Sequence, residues 1–383
     1  MRHPDGDAQA LAMMQRHFRV PRANATTEGS SAAEDDSAAG GIAAGSRQAE
    51  QQRQLFDTYL WLSQLQQARC YETAFAQWRR QRSAPANTMG ILYWQLNAIW
   101  QGPDWSTIEY DGRLRLSHHF VKRVFADVLI STTSEQAGDV EAGQDAGEQA
   151  VGEGSEDAAG GFMPRGRVMR VHVSNDHPSH SIEAMLKIRL HLWADAPARP
   201  VVEVSARVSI GPACTKAVWV GQPLLGNRAV ASAEAFVRLE LTGTHVSAAA
   251  GTAAVGAAAA SEAASEAAER GVEEAVGGSE TLLASADHWL VQWKEAVLPR
   301  ADVKIVSVRK TSDRGAIITI GSNRSAAFVS VECASVVGAF SDAGFALLAG
   351  ETRELRFLAK GGHFELDEFV SGLRARSLRD TYA

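Results

Sequence analysis

The sequence predicts a multidomain protein of mixed class. A short α/β part, one or two helix–strand units in the rhythm of an α/β barrel, precedes two antiparallel β-sandwiches, and low-complexity insertions separate the blocks. Three observations predict this. Apolar residues recur every three to four positions over residues 48–82 but every second position after residue 165. Between these regions lies Thr88–Asn97, a nearly continuous apolar run of the kind buried on both faces of a parallel sheet. Three tracts, 23–46, 131–164 and 244–280, offer almost nothing to bury and are predicted to be disordered.

The 383 residues, 45% of them hydrophobic, suffice for two or three domains and exclude wholesale disorder. The formal charge of −7 is misleading as an average. The three tracts carry −17, with Arg270 their one basic residue, which leaves +10 on the other 288 residues. That mild basic excess shows no Lys/Arg cluster interleaved with aromatics, so nucleic acid is not an expected partner. No apolar run reaches the ~20 residues of a membrane span, and no signal peptide is visible at Met1–Asp7. Cys70, Cys214 and Cys333 lie far apart, with neither disulfide-framework nor metal spacing. Asn24-Ala25-Thr26 and Asn323-Arg324-Ser325 fit the N-glycosylation pattern, a short match that is common by chance.

The expected units run in order. Residues 1–22 form a short leading segment, 23–46 an insertion, 47–130 helix–strand–helix units of α/β type and 131–164 an acidic linker. The first sandwich spans 166–300, interrupted at 244–280, and the second spans 301–383. In the helix over 48–82, Phe56, Leu60, Tyr71, Ala74 and Trp78 share a stripe, and Pro85 ends the pattern. A second helix follows at Leu114–Phe125, with Leu116, Phe120 and Val124 four apart. Strict alternation marks strands at Ile182–Leu192 and Val202–Ile210, continued at Val237–Leu241. Shorter strands are expected at Val303–Val308, Ala316–Ile320, Phe328–Val331 and Leu355–Phe357. The first of these breaks its own alternation, because Ser307 falls on the face of Val303 and Ile305.

Chemistry concentrates in Met89–Gly112, where Trp94, Trp100 and Trp105 fall within twelve residues, beside Gln95 and Asn97. Aromatic faces stack on the C–H face of a sugar, and amides bind hydroxyls. Core packing is the competing explanation, since tryptophan is a large, mostly buried residue. Position favours the sugar, because active sites of α/β barrels sit at the C-terminal ends of the strands.

This window, MGILYWQLNAIW, resembles the last barrel strand of β-mannosidases of glycoside hydrolase family two, which carry MGxLYWQLNDxW. Trp105-Ser106, Gly112-Arg113, and His119-Phe120 through Phe125-Ala126 continue the likeness. Ala10–Pro21 resembles the family segment after the nucleophile strand, and Leu62–Arg82 the helix before the last strand. Gly338–Phe345 (GAFSDAGF) and Leu378–Tyr382 (LRDTY) resemble the end of the terminal Ig-like domain. The resemblance implies the C-terminal remnant of a TIM (β/α)8 barrel followed by two Ig-like sandwiches. It implies release of terminal β-D-mannose from β-mannoside and N-glycan-derived oligosaccharides by a retaining mechanism, with no cofactor, in a lysosomal or secreted setting. Trp94 would wall the sugar subsite, and Asn97 and Gln95 would supply hydrogen bonds.

The same comparison shows departures. Neither an SEFGWQS-like nucleophile motif nor the Asn-Glu acid/base pair occurs, so no catalytic residue is assigned and the chain alone is expected to be inactive. Glu72 and Glu109 are the nearby glutamates, and neither matches a catalytic position. Ala98 stands where the family usually has Asp. His118-His119 suggests no metal, because adjacent helical residues point about 100° apart. Trp289 and Trp293, four apart, fit one helix face or a turn over a sandwich core. Two alternatives remain open: a non-catalytic carbohydrate-binding or assembly protein, and a sequence that lacks upstream coding segments.

Overall fold

The computed structural model describes residues 5–21, 38–83, 85–136, 167–221, 231–247 and 281–382. Most of the three low-complexity tracts lies outside these residues. Their described ends are ordered, which corrects the expected boundaries. Helix α2 (Ala38–Arg80) already includes Ala38–Ser46. Strand β1 (Val128–Gln136) takes Ser131–Gln136 out of the acidic linker. The chain preceding the Ala-rich tract stays extended to Ser247.

The first sandwich contains β1, β2 (Arg167–Asn175), β3 (His180–Leu192), β4 (Val202–Ile210), β5 (Cys214–Gly221), β6 (Ala235–Ser247) and β7 (Thr281–Trp289). One sheet runs β1-β2-β5 and the other β4-β3-β6-β7, with every pairing antiparallel. The alternation read from the sequence decides which side chains go inside: Ile182, Leu186, Ile188 and Leu190 of β3 are buried with Val237, Leu239 and Leu241 of β6. Outward-facing Arg189 ion-pairs with Glu203 on β4 and Glu240 on β6, a cross-strand arrangement that fixes register from the solvent side. Gly243 is required by close approach, since a Cβ there would lie 2.2 Å from the Glu183 carbonyl oxygen. β1 was hidden because only Val128–Ile130 are apolar; its polar half pairs with β2 and spends its side chains on Arg170 and His288.

The second sandwich contains β8 (Val303–Lys310), β9 (Gly315–Ser322), β10 (Ala326–Cys333), β11 (Gly338–Phe340), β12 (Phe345–Leu347), β13 (Thr352–Ala359) and β14 (Leu373–Arg376). Its sheets run β12-β10-β14 and β11-β13-β9-β8. The broken alternation in β8 has a physical cause. The β8–β9 register shifts between Ile305 and Ser307, so Val306 is an extra, exposed residue.

Helices α1 (Gly6–His17), α2 and α3 (Leu116–Val124) are held where the two sandwiches meet. Met14 and Phe18, Trp61, Leu62 and Leu65, and Leu116 and Phe120 share one core with Trp193 and Phe236 of the first sandwich and Phe328 and Leu378 of the second. Each fully buried side chain of this kind contributes ~1.5–3 kcal/mol. Aromatic contacts run through it: Trp193 stacks on Phe236 at 4.0 Å, Trp289 on Phe328 at 5.2 Å, and Trp293 on Phe18 at 5.1 Å. The turn reading of Trp289 and Trp293 therefore holds, since β7 ends at Trp289 and Trp293 lies in the turn after it.

The two C-terminal windows that carried the resemblance serve this junction. Arg123 of α3 donates to Asp342 at 2.5 Å and to the Ala343 carbonyl at 2.9 Å. Gly344 adopts φ +71°, and a Cβ there would come within 2.5 Å of Phe120. Leu378 is fully buried, and Tyr382 donates to the Trp293 carbonyl at 3.1 Å. At the C-terminal end of α3, buried Arg79 donates to the carbonyls of Val124 and Ala126, both at 2.6 Å, and ion-pairs with Asp176 in the β2–β3 turn.

The segment Thr88–Asn97 departs from expectation. It is extended but belongs to no sheet, and among the described residues no parallel sheet forms; a single parallel bridge joins Asn97 to Ile108. Among the described residues no helix is long and apolar enough to cross a membrane.

Candidate functional site

The extended segment follows the end of α2, after a turn in which Asn87 takes φ +51° and Thr88 N–H bonds the Gln81 carbonyl at 2.9 Å. From there its side chains alternate. Ile91 and Tyr93 pack on Phe75, Val121, Val124 and Leu129, so one face is bonded to the helical layer. On the other face Leu92 is 96% exposed, Trp94 72% and Leu96 53%, with Met89, Ile99, Trp100 and Trp105 also exposed. The apolar run is therefore buried on one face and bare on the other, not buried on both.

Tyr71 of α2 and the loop residue Thr107, itself backed by His118 of α3, pin this segment. The Tyr71 hydroxyl, its pKa pushed up by burial, donates to the Trp94 carbonyl at 2.7 Å. Thr107 Oγ1 donates to the Leu96 carbonyl at 3.0 Å and lies 3.2 Å from the Tyr93 hydroxyl and 3.1 Å from His118 Nδ1. With that donor spent, the network assigns Thr107 Oγ1 as acceptor from Tyr93 and from a protonated His118 Nδ1. Burial, helped by Lys122, lowers the pKa of His118 and keeps it neutral in this role. The Trp94–Gln95 peptide bond is cis.

The loop beyond closes on a buried guanidinium. Arg115, only 7% exposed, bonds Glu109 through both carboxylate oxygens at 2.7 and 3.0 Å and Asp104 at 2.7 Å. Burial alone would raise the Asp104 pKa, but bonds from Ser106 and Arg115 outweigh it and hold the carboxyl below its ordinary value. Glu109 is thus a structural partner of Arg115, and Glu72 is one of Arg69 in α2.

The three expected sugar-binding residues are not equivalent. Trp94 presents its ring to solvent, its backbone fixed by Tyr71. Asn97 is exposed, with Nδ2 3.3 Å from the Ala98 carbonyl. Gln95 is half-buried, and its Nε2 donates to the Asn97 carbonyl at 3.0 Å, which makes it a brace of the loop. Ala98 is buried and donates N–H to the Ile108 carbonyl at 2.9 Å. The supports Tyr71, Thr107 and His118 were missed by sequence reasoning, because Tyr71 read as core stripe and Thr107 had no motif.

Two larger cavities lie away from Trp94. One of about 550 Å³ separates α2 and the Glu109–Leu116 loop from β10 and β14, with His119 in its wall. The other, about 580 Å³, lies between α3, β7 and β13 and is lined by Arg69, Arg123, Arg238 and Arg353. These arginines ion-pair with Glu72, Asp342 and Asp287. His118 and His119 face different surroundings, and among the described residues no group of three or more His, Cys, Asp or Glu could hold a metal.

Comparison with known proteins places this geometry. An Ig-fold domain model of the mannosidase type matches residues 298–381. A β-mannosidase from Bos taurus is 46% identical over 129 residues, 33% of this chain and 12% of the relative. One from Mus musculus is 28% identical over 216 residues, 55% of this chain and 18% of the relative. The chain therefore spans less than a fifth of these curated relatives. The crystal structure of a β-D-mannosidase from Dictyoglomus thermophilum has the same fold over 98% of this chain and 32% of its own, with a TM-score of 0.57 at 17% identity. In sequence over its matched windows, and in architecture over nearly all its length, the chain is similar to the C-terminal portion of β-mannosidases of glycoside hydrolase family two: the end of the barrel and the sandwiches that follow it.

Proposed function

We propose that the chain is the sandwich platform and last barrel edge of a glycosidase that releases terminal, non-reducing β-D-mannose from oligosaccharides, acting in a lysosomal or secreted setting. The observation that supports this is the bare face of Thr88–Asn97. A rigid helical layer holds its inner side, while Leu92, Trp94 and Leu96 stand uncovered. A retaining mechanism needs two carboxyl groups about 5–5.5 Å apart. Glu72 and Glu109 are engaged by Arg69 and Arg115, so both carboxyls come from polypeptide that packs against this face. Trp94 then walls the mannose subsite with its ring, Asn97 offers its amide to a hydroxyl, and Gln95 holds the loop between them. The chain supplies binding and orientation rather than proton transfer.

The test is a chromogenic β-mannoside assay on the purified chain, alone and joined behind the N-terminal part of the Bos taurus relative. The expected result is no turnover alone, turnover when joined, and at least a tenfold loss on Trp94→Ala. Turnover by the chain alone that disappears on substituting Glu72 or Glu109 would overturn the proposal. A second reading, a non-catalytic carbohydrate-binding or assembly protein, is favoured by the ion-paired state of both glutamates; it expects the joined protein to be inactive.

A further inference from the structure

Two short matches to the N-glycosylation pattern are indistinguishable as sequence. Asn24-Ala25-Thr26 lies outside the described residues. Asn323-Arg324-Ser325 forms the turn between β9, which ends at Ser322, and β10, which begins at Ala326. Its surroundings are specific. Asn323 and Arg324 are exposed, whereas Ser325 is 1% exposed. Asn323 accepts the Asp302 N–H through Oδ1 at 2.8 Å, and its Nδ2 makes no hydrogen bond among the described residues. Ser325 Oγ accepts the Ala349 N–H at 3.2 Å, and Ser322 Oγ donates to the Arg324 carbonyl at 2.6 Å. Arg324 donates to the Ala194 carbonyl at 2.7 Å, which ties the turn to the first sandwich.

We propose that Asn323 carries an N-linked glycan, attached before the second sandwich folds. In the transfer, Asn323 Nδ2 forms a bond to the anomeric carbon of a lipid-pyrophosphate-linked oligosaccharide. The anomeric carbon–oxygen bond breaks, the pyrophosphate leaves with the electron pair, and one amide proton goes to a base on the transferase. The folded turn accommodates the product, because the native bond uses the amide oxygen, which the modification leaves in place, and the substituted nitrogen belongs to an exposed residue. A glycan is bulky and belongs on such a surface loop.

The folded turn cannot be the substrate for transfer. The acceptor pattern requires the hydroxyl two residues on, and in the sandwich that hydroxyl is buried on Ala349. Attachment therefore precedes closure of β9 on β10, and the structure fixes the order of events as well as the position.

The experiment has two arms. First, the full chain carrying Asn24→Gln is expressed behind a secretory leader in a eukaryotic host. Total and secreted fractions are treated with a peptide-N-glycosidase in heavy-oxygen water and mapped by mass spectrometry. Asn323 is expected to be converted to labelled Asp, and Ser325→Ala is expected to abolish the label. Second, folded chain from bacteria and an unfolded synthetic peptide spanning Gly315–Cys333, which keeps Asn323-Arg324-Ser325 intact, are offered to an oligosaccharyltransferase with its lipid-linked donor. The peptide is expected to be modified and the folded chain to remain unmodified. An unlabelled Asn323 in both fractions overturns the site, and modification of the folded chain at a rate equal to the peptide's overturns the order.

Discussion

Lowering the pH from about 7.5 to about 5 should cost this chain a large part of its stability, through three histidines kept neutral by burial. His191 is 3% exposed, and neither ring nitrogen has a hydrogen-bond partner among the described residues. Burial pushes its pKa down to about 4; Arg238 and Arg189 act in the same direction, and Asp287 and Glu203 oppose them. His172 is also held at about 4, by burial and then by Arg80 and Arg170 against Glu135. His119, 4% exposed, sits at about 4 by burial, with Asp342 acting upward and Arg123, His118 and Lys122 downward. A histidine whose folded pKa lies below its free value of about 6.5 binds its proton more tightly in the unfolded chain. Its stabilising contribution is complete above about 6.5 and is lost as the pH falls toward about 4. Each would lose about 3 kcal/mol over the full window and about 2 kcal/mol by about pH 5, or about 6 kcal/mol for the three. Against a typical margin of ~5–15 kcal/mol that is a major loss. The assay is urea unfolding followed by tryptophan fluorescence at several pH values. His191→Leu should remove about 2 kcal/mol of the acid sensitivity. A free energy of unfolding unchanged across this pH range, or an undiminished pH slope in His191→Leu, would refute the reasoning.

Further outcomes follow from single contacts. Arg123→Met removes the bonds from α3 to Asp342 and the Ala343 carbonyl and should cost about 1.5–3 kcal/mol in chemical denaturation. Gly344→Ala forces a left-handed residue and a Cβ against Phe120, and should lower stability by at least about 2 kcal/mol, read as a shifted urea midpoint. Leu92→Lys with Leu96→Lys should reduce concentration-dependent self-association in analytical ultracentrifugation while leaving Tm within a degree or two, because both side chains are already in water.

The sandwiches were legible because period two is unambiguous where one face is buried and the other solvated, as in β3, where even the outward Arg189 finds carboxylates on both neighbouring strands. The irregularity at Val306 was legible too, as a broken alternation, and a bulge is its cause. β1 was not, because an edge strand can be polar where pairing and ion pairs replace apolar burial. Thr88–Asn97 misled in a more informative way. Its composition describes a strand with neighbours on both sides, whereas among the described residues a neighbour exists on one side only. Trp94 stood out by its place at the end of the apolar run, and the structure leaves its ring exposed. Its anchors, Tyr71 and Thr107, lie 23 and 14 residues from their partners Trp94 and Tyr93, a distance that local periodicity cannot bridge. Glu109 could be set aside from sequence position, but the reason, a bidentate pair with Arg115, needed the fold.

The central claim is that two sandwiches and three helices form a stable platform that presents one uncovered barrel edge. Residue-resolved hydrogen exchange on the monomeric chain tests it most directly. Amides of Trp61–Phe75 in α2 and of Ile182–Leu192 in β3 should exchange slowly, since both stretches have hydrogen-bonded backbones and supply the buried cores. Thr88–Asn97, which belongs to no sheet, should exchange orders of magnitude faster. Protection across Thr88–Asn97 equal to that of Ile182–Leu192 would contradict the account, for it would mean that the edge is already covered.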